Sequence, residues 1–490
     1  MNTPLRRVAM AIMTMIVLLL ANATYVQVIK ADDYRADPRN ARVLIEEYSR
    51  QRGQIVAEGT PLALSKETDS SQLRFQRQYG GGPVFAPVTG YYSTLYGAGG
   101  LEKVEDSVLN GSDDLLFVRR LSDLITGRDP RGGNVVLTVN QRAQRTAYEQ
   151  MTEKGFRGAV VAIRPKTGEI LAMVSTPSYD PSRLASPEPK AQQQAWNEFN
   201  AGDRPISNRA VRETYPPGST FKLVVTAAAL SSGEFDENTP LTAAPQIDLP
   251  GSNADLENFN GSRCGTADTA PLREALARSC NTAFAELTMN LGEDRLRRQA
   301  ELLGIGQQDL QIPTQVAPSS IGPIEDRPAL AQSGIGQRDV RLTPLQNAMI
   351  AATIANGGER MTPYLVSKLT DPDFKKDLRK FGPKRAERAM DREVAEKIRD
   401  MMIQSEARTK GAKIPDVTVA SKTGTAEYGA DPKANPPHGW YVAFAPADDP
   451  KVAIAVVVEG GGDRGLEATG GSLAAPIARM VMQAVLQGAG

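Results

Sequence analysis

A serine and a lysine three residues apart, Ser219 and Lys222, are the side chains whose types and spacing most clearly suggest chemistry. They lie in the run PPGSTFK, where two prolines and a glycine cannot continue a helix from upstream. We therefore predict a helix that begins at about Ser219 and ends near Gly233. Because residues three apart share one face of a helix, the Lys222 amine is expected beside the Ser219 hydroxyl.

The predicted helix is apolar around most of its circumference, and between Ser219 and Ser232 its only charged residue is Lys222. A helix of this kind is buried in the protein. Burial disfavours the ammonium form of a lysine and lowers its pKa, so Lys222 can act as the base for a serine nucleophile at a helix N-terminus. The alternative is a lysine whose tip reaches solvent or a buried carboxylate, and for an isolated S-x-x-K pair that arrangement is the more common one.

Two shorter motifs lie downstream of this pair. Ser279 and Asn281 form an S-x-N run at the start of a predicted helix, and taken alone they indicate a helix N-cap at one of these two residues. The run KTGT at positions 422–425 lies inside a strand-like segment, where a glycine is unusual unless another group approaches the backbone closely. In this order, S-x-x-K, S-x-N and K-T-G are the motif set of serine β-lactamases and penicillin-binding proteins.

The elements that must bring these motifs together are spread along the chain. Residues 159–163 and 170–174 are β-type runs around a proline and glycine turn, which is typical of a β-hairpin. Three more strand-like runs and a final helix opened by a capping serine follow far downstream, at residues 417–426, 440–445, 452–459 and 472–487. Strands at both ends of a helical middle predict an α+β domain whose sheet, antiparallel in our interpretation, is assembled from distant segments.

Length and composition limit the remaining possibilities. The 490 residues exceed the size at which a single core stops growing, roughly 250–300 residues, so at least two domains are expected. The 57 Lys and Arg balance the 57 Asp and Glu, so there is no net charge to attract nucleic acid. Two cysteines and one histidine are too few for a four-ligand Cys/His zinc site, and we expect neither a metal nor another cofactor.

The N-terminal segment predicts an export and anchoring signal. Residues 8–29 carry no charge, and at 1.5 Å per residue they form a helix about 33 Å long, which matches the hydrocarbon core of a bilayer. Arg6 and Arg7 favour a cytoplasmic tail at residues 1–7 and an extracytoplasmic body. A signal peptide cleaved after the small-x-small run at residues 21–23 is the alternative, but the apolar run continues past that site and favours a retained anchor.

We predict that the exported chain contains two domains, a small one at residues 30–150 and a larger one at residues 151–490. The first part contains charged stretches and the tract GGGP at positions 80–83 but few sustained periodic runs, which is typical of a loop-rich domain or a stalk. Export also permits a disulfide between Cys264 and Cys280. The sequence leaves this pairing open, because two small buried cysteines are an equally good interpretation.

The chain resembles the class B penicillin-binding proteins, which carry one membrane anchor and no glycan polymerase domain. The resemblance covers nearly the whole chain: beyond the three motifs, the runs RNAR at 39–42 and RGQI at 52–55 are similar to the start of the pedestal domain of this class, and residues 158–177 and 334–358 are also familial. The chain length, the compact pedestal and Cys280 within the second motif are most similar to an actinobacterial branch. This resemblance implies a transpeptidase domain of the serine penicillin-binding and β-lactamase fold, with a five-stranded antiparallel sheet flanked by helices.

The resemblance also implies a role for each motif residue. Ser219 is expected to be the nucleophile, Lys222 its general base and Ser279 a proton shuttle. Asn281 is expected to bind a substrate amide, and Lys422 to act as an electrostatic partner of the serine and the substrate carboxylate. Thr423 and Thr425 are expected to bind that carboxylate through their hydroxyls, and Gly424 lies between them in the substrate-binding strand. The backbone N–H groups of Ser219 and Thr425 are expected to form the oxyanion hole.

The function implied is that of a peptidoglycan D,D-transpeptidase in cell-wall biogenesis. The expected substrates are a stem peptide ending in D-Ala-D-Ala and an amine acceptor, and β-lactams are expected to acylate the same serine and to be hydrolysed slowly. A membrane glycan polymerase of the shape, elongation, division and sporulation family is the implied partner. Two other classes stay open, a carboxypeptidase or β-lactamase that uses water and a scaffold or β-lactam sensor without turnover. The sequence does not distinguish division from elongation or sporulation.

Two further residues suggest other chemistry, a Ser-His-Asp triad at His438 and activation of water by Glu286. His438 precedes Trp440 in a proline-rich segment that we interpret as a loop, and a Ser-His-Asp triad around it is disfavoured because no G-x-S-x-G run accompanies it. Glu286 opens an E-x-x-M-N run close to the motif that activates water in class A β-lactamases. It follows Asn281 on the same predicted helix, so a glutamate on the helix surface is the better interpretation.

Overall fold

A computed structural model describes residues 2–30, 50–69, 74–129, 131–253, 255–428 and 434–488. Its helices of seven residues or more are α1 Asn2–Thr24, α2 Phe117–Thr126, α3 Gln141–Thr152, α4 Pro189–Asn200, α5 Lys222–Ser232, α6 Leu272–Arg278, α7 Asn281–Leu291, α8 Glu293–Leu302, α9 Arg327–Gly334, α10 Pro344–Ala355, α11 Arg392–Arg408 and α12 Gly470–Gln487. The strands of its two larger sheets are β1 Ile55–Ala57, β2 Thr60–Glu67, β3 Phe75–Tyr79, β4 Asn134–Leu137, β5 Gly158–Ile163, β6 Ile170–Thr176, β7 Val366–Thr370, β8 Asp377–Lys380, β9 Ala420–Ala426, β10 His438–Ala445 and β11 Val452–Val458.

The larger domain is built on a five-stranded sheet of order β9-β10-β11-β5-β6, in which every neighbouring pair is antiparallel. This confirms the predicted α+β fold and its antiparallel sheet. The three central strands are apolar on both faces because both faces are covered: α3 and α12 pack on one face, and α10 packs on the other, where the core also includes α5 and α7. Strand β9, which carries the KTGT run, lies at the edge of the sheet beside α11.

Three details of the predicted elements are wrong. Strand β10 begins at His438, so this histidine lies on a strand and not in the predicted loop. Helix α12 begins at Gly470, and its N-cap is Thr469 and not Ser472. Ser472 is the N3 residue of a capping box, in which its hydroxyl oxygen accepts a hydrogen bond from the Thr469 N–H and its own N–H donates to the Thr469 hydroxyl oxygen. The first-turn glycines conceal this start, because glycine has a low helix propensity.

The N-terminal part of the chain contains a second sheet, six-stranded and mixed, of order β8-β7-β4-β1-β2-β3. Strands β1 and β4 are parallel and the other neighbours are antiparallel. Two of its strands, β7 and β8, come from the C-terminal half of the chain, which the predicted domain at residues 30–150 did not include. Most of these strands have three to five residues, so their period-two pattern is too short to stand out in the sequence.

Two segments lie near the predicted domain limits. The run at 39–42 that resembles the start of the pedestal lies outside the described residues. Helix α3 crosses residue 150, and its buried residues Ala143, Ala147 and Met151 join the core between the five-stranded sheet and α12. The limits at residues 30 and 150 stay predictions.

Helix α1 is followed without a break by a π-helical turn at Tyr25–Ile29. Together, residues Thr3–Ile29 form one helix that is long and apolar enough to span a membrane, with a mean hydropathy of 2.0 over its most apolar window. None of that window is buried against the rest of the protein. The predicted anchor at residues 8–29 lies within this helix.

Candidate active site

Ser219 lies in a short 3-10 turn, Gly218–Thr220, and α5 begins only at Lys222 and ends at Ser232, before Gly233. The predicted start of the helix at about Ser219 therefore falls in this turn. Gly218 has a φ of 53°, and a Cβ at this position would lie 2.5 Å from the carbonyl oxygen of Thr425 on β9. Only glycine allows this close approach, which brings the turn that carries Ser219 against the edge strand.

Two residues outside the motifs, Asn347 and Gly336, hold this turn through hydrogen bonds. The Thr220 hydroxyl donates to the Pro217 carbonyl oxygen and accepts a 3.0 Å hydrogen bond from Asn347 Nδ2 on α10. The Gly218 N–H donates to the Gly336 carbonyl oxygen at 2.9 Å. Asn347 lies more than a hundred residues downstream, in a helix that is buried along its whole length, and so no local pattern marks it.

Lys222 is fully buried, and its Nζ donates hydrogen bonds of 2.8 Å to the Ser279 carbonyl oxygen and to Asn281 Oδ1. Its pKa lies well below the ordinary value for lysine because of burial and, next, because of the nearby positive charge of Lys422. Ser219 is half-buried, and within the described residues no hydrogen bond joins its hydroxyl to Lys222. The amine is held by the S-x-N motif, and its predicted position beside the Ser219 hydroxyl stays a prediction.

Ser279 lies between the two lysines of the motifs. Its Oγ accepts a 2.7 Å hydrogen bond from Lys422 Nζ and lies 3.5 Å from Lys222 Nζ. Ser279 ends α6 in the left-handed region, with a φ of 65° and a ψ of 39°. This conformation is uncommon for serine and is found where the surrounding structure imposes it, often at functional sites.

Lys422 is also fully buried, and burial lowers its pKa to about 7. Besides Ser279, its Nζ contacts only the Thr423 carbonyl oxygen, at 2.9 Å, within the described residues. No carboxylate neutralises either lysine through an ion pair in this part of the chain. The site thus holds two amines whose uncharged forms are stabilised by burial.

Asn281 is the first residue of α7, but neither it nor Ser279 caps this helix, contrary to the prediction. The cap is supplied by Asn258, whose Oδ1 accepts hydrogen bonds from the backbone N–H groups of Asn281 at 2.6 Å and Thr282 at 3.0 Å. The Asn281 side chain is therefore free to bind Lys222 through Oδ1 and the Glu257 carbonyl oxygen through Nδ2. Asn258 lies in irregular sequence, which is why a local cap pattern did not reveal it.

The structure joins Cys264 and Cys280 in a disulfide, with Cα atoms 5.7 Å apart. Cys280 is the middle residue of the S-x-N motif, and both cysteines are almost completely buried. The bond therefore attaches the loop before α6 to the residue between Ser279 and Asn281.

The KTGT run of β9 places its side chains on alternate faces, as a strand must. Lys422 points to the side of α5, whereas the half-buried Thr423 and Thr425 point to the opposite face of the strand. Gly424 lies opposite the Ser219 turn, where a Cβ would be 2.8 Å from the Pro217 carbonyl oxygen and 3.0 Å from the Thr220 methyl carbon. The glycine in this strand is thus explained by the close approach of the turn.

A buried carboxylate that the sequence analysis missed supports β9 from behind. Glu406, near the end of α11, accepts hydrogen bonds from the Ser421 hydroxyl and, at 2.7 Å, from the Tyr441 hydroxyl. Arg479 of α12 donates to its other oxygen at 3.0 and 2.7 Å. Burial acts to raise the pKa of Glu406, but hydrogen bonds from Ser421, Tyr441 and Lys413 and the positive charge of Arg479 outweigh it and lower the pKa. Because Ser421 precedes Lys422, this cluster fixes the strand beside the site.

A cleft of about 510 Å³ opens beside Ser279 and Thr423. Its walls come from the loop before α6, the end of α11 and the start of α12, including Asn258, Arg278, Thr409 and Ser472. The cleft is large enough for a peptide end, and Thr423 faces it from the strand.

The two alternative residues have other contacts. His438 is stacked on Tyr428 with ring centroids 4.1 Å apart, its Nδ1 accepts from the Gly460 N–H at 3.1 Å, and burial lowers its pKa to about 4. It makes no serine contact within the described residues, so the triad is not formed there. Glu286 accepts a hydrogen bond from the Thr242 N–H at 2.5 Å, which secures a neighbouring loop.

Comparison with known proteins gives two matching family models. The penicillin binding protein transpeptidase domain matches residues 158–483, and the penicillin binding protein A dimerisation domain matches residues 52–135. Peptidoglycan D,D-transpeptidase PbpA of Mycobacterium tuberculosis is 55% identical over 496 aligned residues, which cover 100% of both chains. The protein of the same name from Mycolicibacterium smegmatis is 55% identical over 99% of both chains.

Solved structures agree with this match. Penicillin-binding protein A of M. tuberculosis as a ceftriaxone acyl-enzyme complex superposes with a TM-score of 0.88 at 53% identity, covering 90% of this chain and 100% of that chain. Its penicillin G acyl-enzyme complex gives a TM-score of 0.86 at 52% identity, covering 89% and 100%. With the three motifs gathered at one end of α5, these full-length similarities show that the chain belongs to the class B penicillin-binding proteins, whose transpeptidase domain it contains.

Proposed function

We propose that this protein is a membrane-anchored peptidoglycan D,D-transpeptidase that works through an acyl-enzyme on Ser219. The observation that carries the proposal is the buried Lys222 amine, which lies three residues after the half-buried Ser219 and has no carboxylate partner among the described residues. A lysine is rarely buried in this way without a reason, because removing its charge from water is costly. Activation of a serine supplies that reason.

The hydrogen bonds of Lys222 suggest how it acts as the base. An uncharged amine has two hydrogens and one lone pair. Both hydrogens are used by the 2.8 Å bonds to the Ser279 carbonyl oxygen and Asn281 Oδ1, which leaves the lone pair to accept a proton from the Ser219 hydroxyl. The Ser219 oxygen then attacks the carbonyl carbon between the two terminal D-alanines of the donor stem.

Ser279 is proposed to return the proton to the leaving group. It bridges Lys422 and Lys222, so a proton taken by Lys222 can pass through the Ser279 hydroxyl to the nitrogen of the departing D-alanine. When the C–N bond breaks, an ester to Ser219 remains. The amine of a second stem then attacks this ester, forms the cross-link and gives its proton back through the same groups, so that Ser219 is regenerated.

Strand β9 is proposed to bind the substrate. Thr423 and Thr425 would hold the terminal carboxylate through their hydroxyls, and Lys422 would add positive charge. The Ser219 and Thr425 backbone N–H groups would stabilise the oxyanion, and donors of this kind typically contribute a factor of about 10² to 10³ in rate. The close contact between Gly218 and the Thr425 backbone supports this pairing, because it brings the turn and the strand together.

Transfer to an amine is favoured over transfer to water. The one glutamate with a lactamase-like spacing, Glu286, is bound to the Thr242 N–H and lies on the α7 surface. It is therefore not available to activate water at the ester. A carboxypeptidase or β-lactamase would need another base, and a scaffold without covalent chemistry would not need the two buried lysines.

The proposal includes the order of four segments along the chain and their place relative to the membrane. Residues 1–7 form a cytoplasmic tail, residues 8–29 the anchor, residues 30–150 most of the pedestal, and residues 151–490 the extracytoplasmic transpeptidase domain. The charges of Arg6 and Arg7 support this orientation. A membrane glycan polymerase is the proposed partner, because a cross-linking enzyme anchored by one helix acts on strands that a polymerase must supply.

The test is a reaction with a stem-peptide analogue ending in D-Ala-D-Ala, in the presence and absence of a D-amino acid amine acceptor. We expect release of D-alanine and a product that carries the acceptor. Release that is fast and independent of the acceptor would assign a carboxypeptidase instead. No release, together with normal penicillin binding, would assign a sensor. Ser219→Ala serves as the control, and it should abolish both release and transfer.

A further inference from the structure

Helix α2 of the N-terminal domain is oriented with its polar face toward the protein and its apolar face toward solvent. Arg119 and Asp123, both mostly buried, contact each other at 3.7 Å, and Arg119 also pairs with Asp371 and Asp373 at 3.2 and 2.8 Å. The exposed fractions on the other side are large: 54% for Phe117, 79% for Val118, 48% for Leu121 and 78% for Ile125. This is the reverse of an ordinary surface helix, whose apolar stripe faces the core.

The apolar residues of α2 form one stripe. At 100° per residue, Phe117, Val118, Leu121 and Ile125 fall within a sector of about 100°. The turn to which Arg119 is ion-paired carries one more exposed apolar side chain, Phe374, which is 46% exposed. We call these five side chains the α2 apolar face. An exposed apolar face of this kind marks an interaction site.

Basic residues adjoin the α2 apolar face in the sequence. Arg128 follows the helix, and Lys375 and Lys376 follow Phe374 in the turn. All three are exposed, and none of them makes an ion pair within the described residues. An apolar helix face with free basic residues beside it is typical of helices that lie in the interface of a membrane, where the cations meet anionic headgroups.

The membrane lies within reach of this face. The helix that can span it ends at Ile29, and the described chain resumes at Arg50. The 21 residue steps from Ile29 to Arg50 span at most about 76 Å at 3.6 Å per residue, so the N-terminal domain stays within that distance of the end of the membrane helix.

A second copy of the chain is a weaker candidate for covering this face. In a symmetric dimer through this face, the same basic residues of both copies would meet without an opposing charge. Anionic lipid headgroups supply that charge, and each apolar side chain gains by its own transfer from water.

We propose that the α2 apolar face docks on the surface of the membrane that holds α1, with its apolar side chains among the lipid acyl chains and Arg128, Lys375 and Lys376 at the phosphates of anionic lipids. Docking fixes the N-terminal domain on the bilayer at a second point besides the anchor. The transpeptidase domain is then held at a defined height and orientation above the lipid.

The test uses the full chain reconstituted in vesicles that contain anionic phospholipid. The only two cysteines of the sequence are joined to each other, so Val118→Cys provides a single site for an environment-sensitive fluorophore. Leu466→Cys is the matched control, because Leu466 is a leucine with a similar exposure, 61%, in the transpeptidase domain. Penicillin labelling of each variant verifies that it is folded.

We expect the label at position 118 to shift to the blue and to be quenched by lipids brominated on their acyl chains, while the label at 466 behaves as in water. Equal exposure of both labels to water would overturn the proposal. A blue shift at 118 without quenching by lipid would also overturn it and would indicate a second copy or a protein partner. Ile125→Cys should reproduce the result for 118. Lys375→Glu with Lys376→Glu should weaken quenching at 118, and unchanged quenching would overturn the role of these cations.

Discussion

The hydroxyl of Ser279 accepts a 2.7 Å hydrogen bond from the Nζ of Lys422, which connects the second and third motifs of the site directly. The same oxygen lies 3.5 Å from Lys222, in the first motif. Ser279 is therefore the one side chain in the described part of the chain that contacts both buried lysines, and its left-handed backbone aims it between them.

Replacing Ser279 with alanine tests its proposed role as a proton shuttle. Ser279→Ala removes the only hydroxyl between the lysines but leaves Lys222 bound to the residue 279 carbonyl oxygen and to Asn281. We expect the rate of acylation by penicillin to fall by about 10² to 10³, the usual contribution of a positioned proton donor or acceptor. Stopped-flow acylation kinetics measure this change. An acylation rate within a factor of three of the wild type would contradict the shuttle.

The pH dependence of acylation reports both lysines. Lys222 must be uncharged, and burial holds its pKa well below the ordinary value, so acylation should rise with pH on the acid side. Lys422 has a pKa of about 7, and it loses its charge as the pH rises through that value. If its charge binds the substrate carboxylate, the second-order rate constant for acylation by penicillin should fall above about pH 7.

The variant Lys422→Arg separates this effect from general loss of activity. A guanidinium stays charged throughout the accessible range, so the fall on the alkaline side should move upward by more than one pH unit even if the maximal rate is lower. The acid side, which depends on Lys222, should change little. An alkaline limb that stays near pH 7 in this variant would assign it to a group other than Lys422.

Glu406 is predicted to position β9 without contacting substrate. Glu406→Gln leaves the buried Arg479 without its carboxylate, and loss of one partner of a buried ion pair destabilises a protein by about 3–5 kcal/mol. We also expect slower acylation, because the Ser421 hydrogen bond that holds the strand is weakened. Glu102→Gln is the matched control. Glu102 is equally buried and pairs with Arg52 and Arg77 in the N-terminal domain, so its replacement should lower the melting temperature but not the acylation rate.

Glu286 is predicted to have no part in deacylation. Glu286→Gln keeps an acceptor for the Thr242 N–H, so the fold should persist, and the half-life of the penicillin adduct should stay within a factor of two of the wild type. Mass spectra at successive times after removal of free penicillin give this half-life. A longer-lived adduct in the variant would identify Glu286 as a base for water.

The sequence predicted the catalytic domain more fully than the N-terminal one. The strands from 158 to 176 and from 438 to 458 are long apolar runs. Helices cover both faces of the sheet that they form, so the apolar pattern of the sequence matches the burial of these strands. The N-terminal sheet has short strands, and two of them come from residues 366–380. No local pattern can show that a hairpin so far along the chain completes the sheet.

The motif residues were predictable, but their supports were not. Lys222 stood out because it is the only charge in an apolar helix. Asn258, Asn347 and Glu406 act on the site through tertiary contacts with residues 23, 127 and 15 positions away. Each is a common polar residue in an ordinary local context, and only the fold shows that its side chain turns inward.

The acyl-enzyme on Ser219 is tested most directly by the intact mass of the protein after treatment with penicillin G, followed by peptide mapping and a time course. We expect one adduct with the full mass of penicillin G, located on Ser219, absent in Ser219→Ala, and persisting for far longer than a β-lactamase turnover. An adduct on another residue, an adduct in Ser219→Ala, or complete hydrolysis within seconds would contradict it.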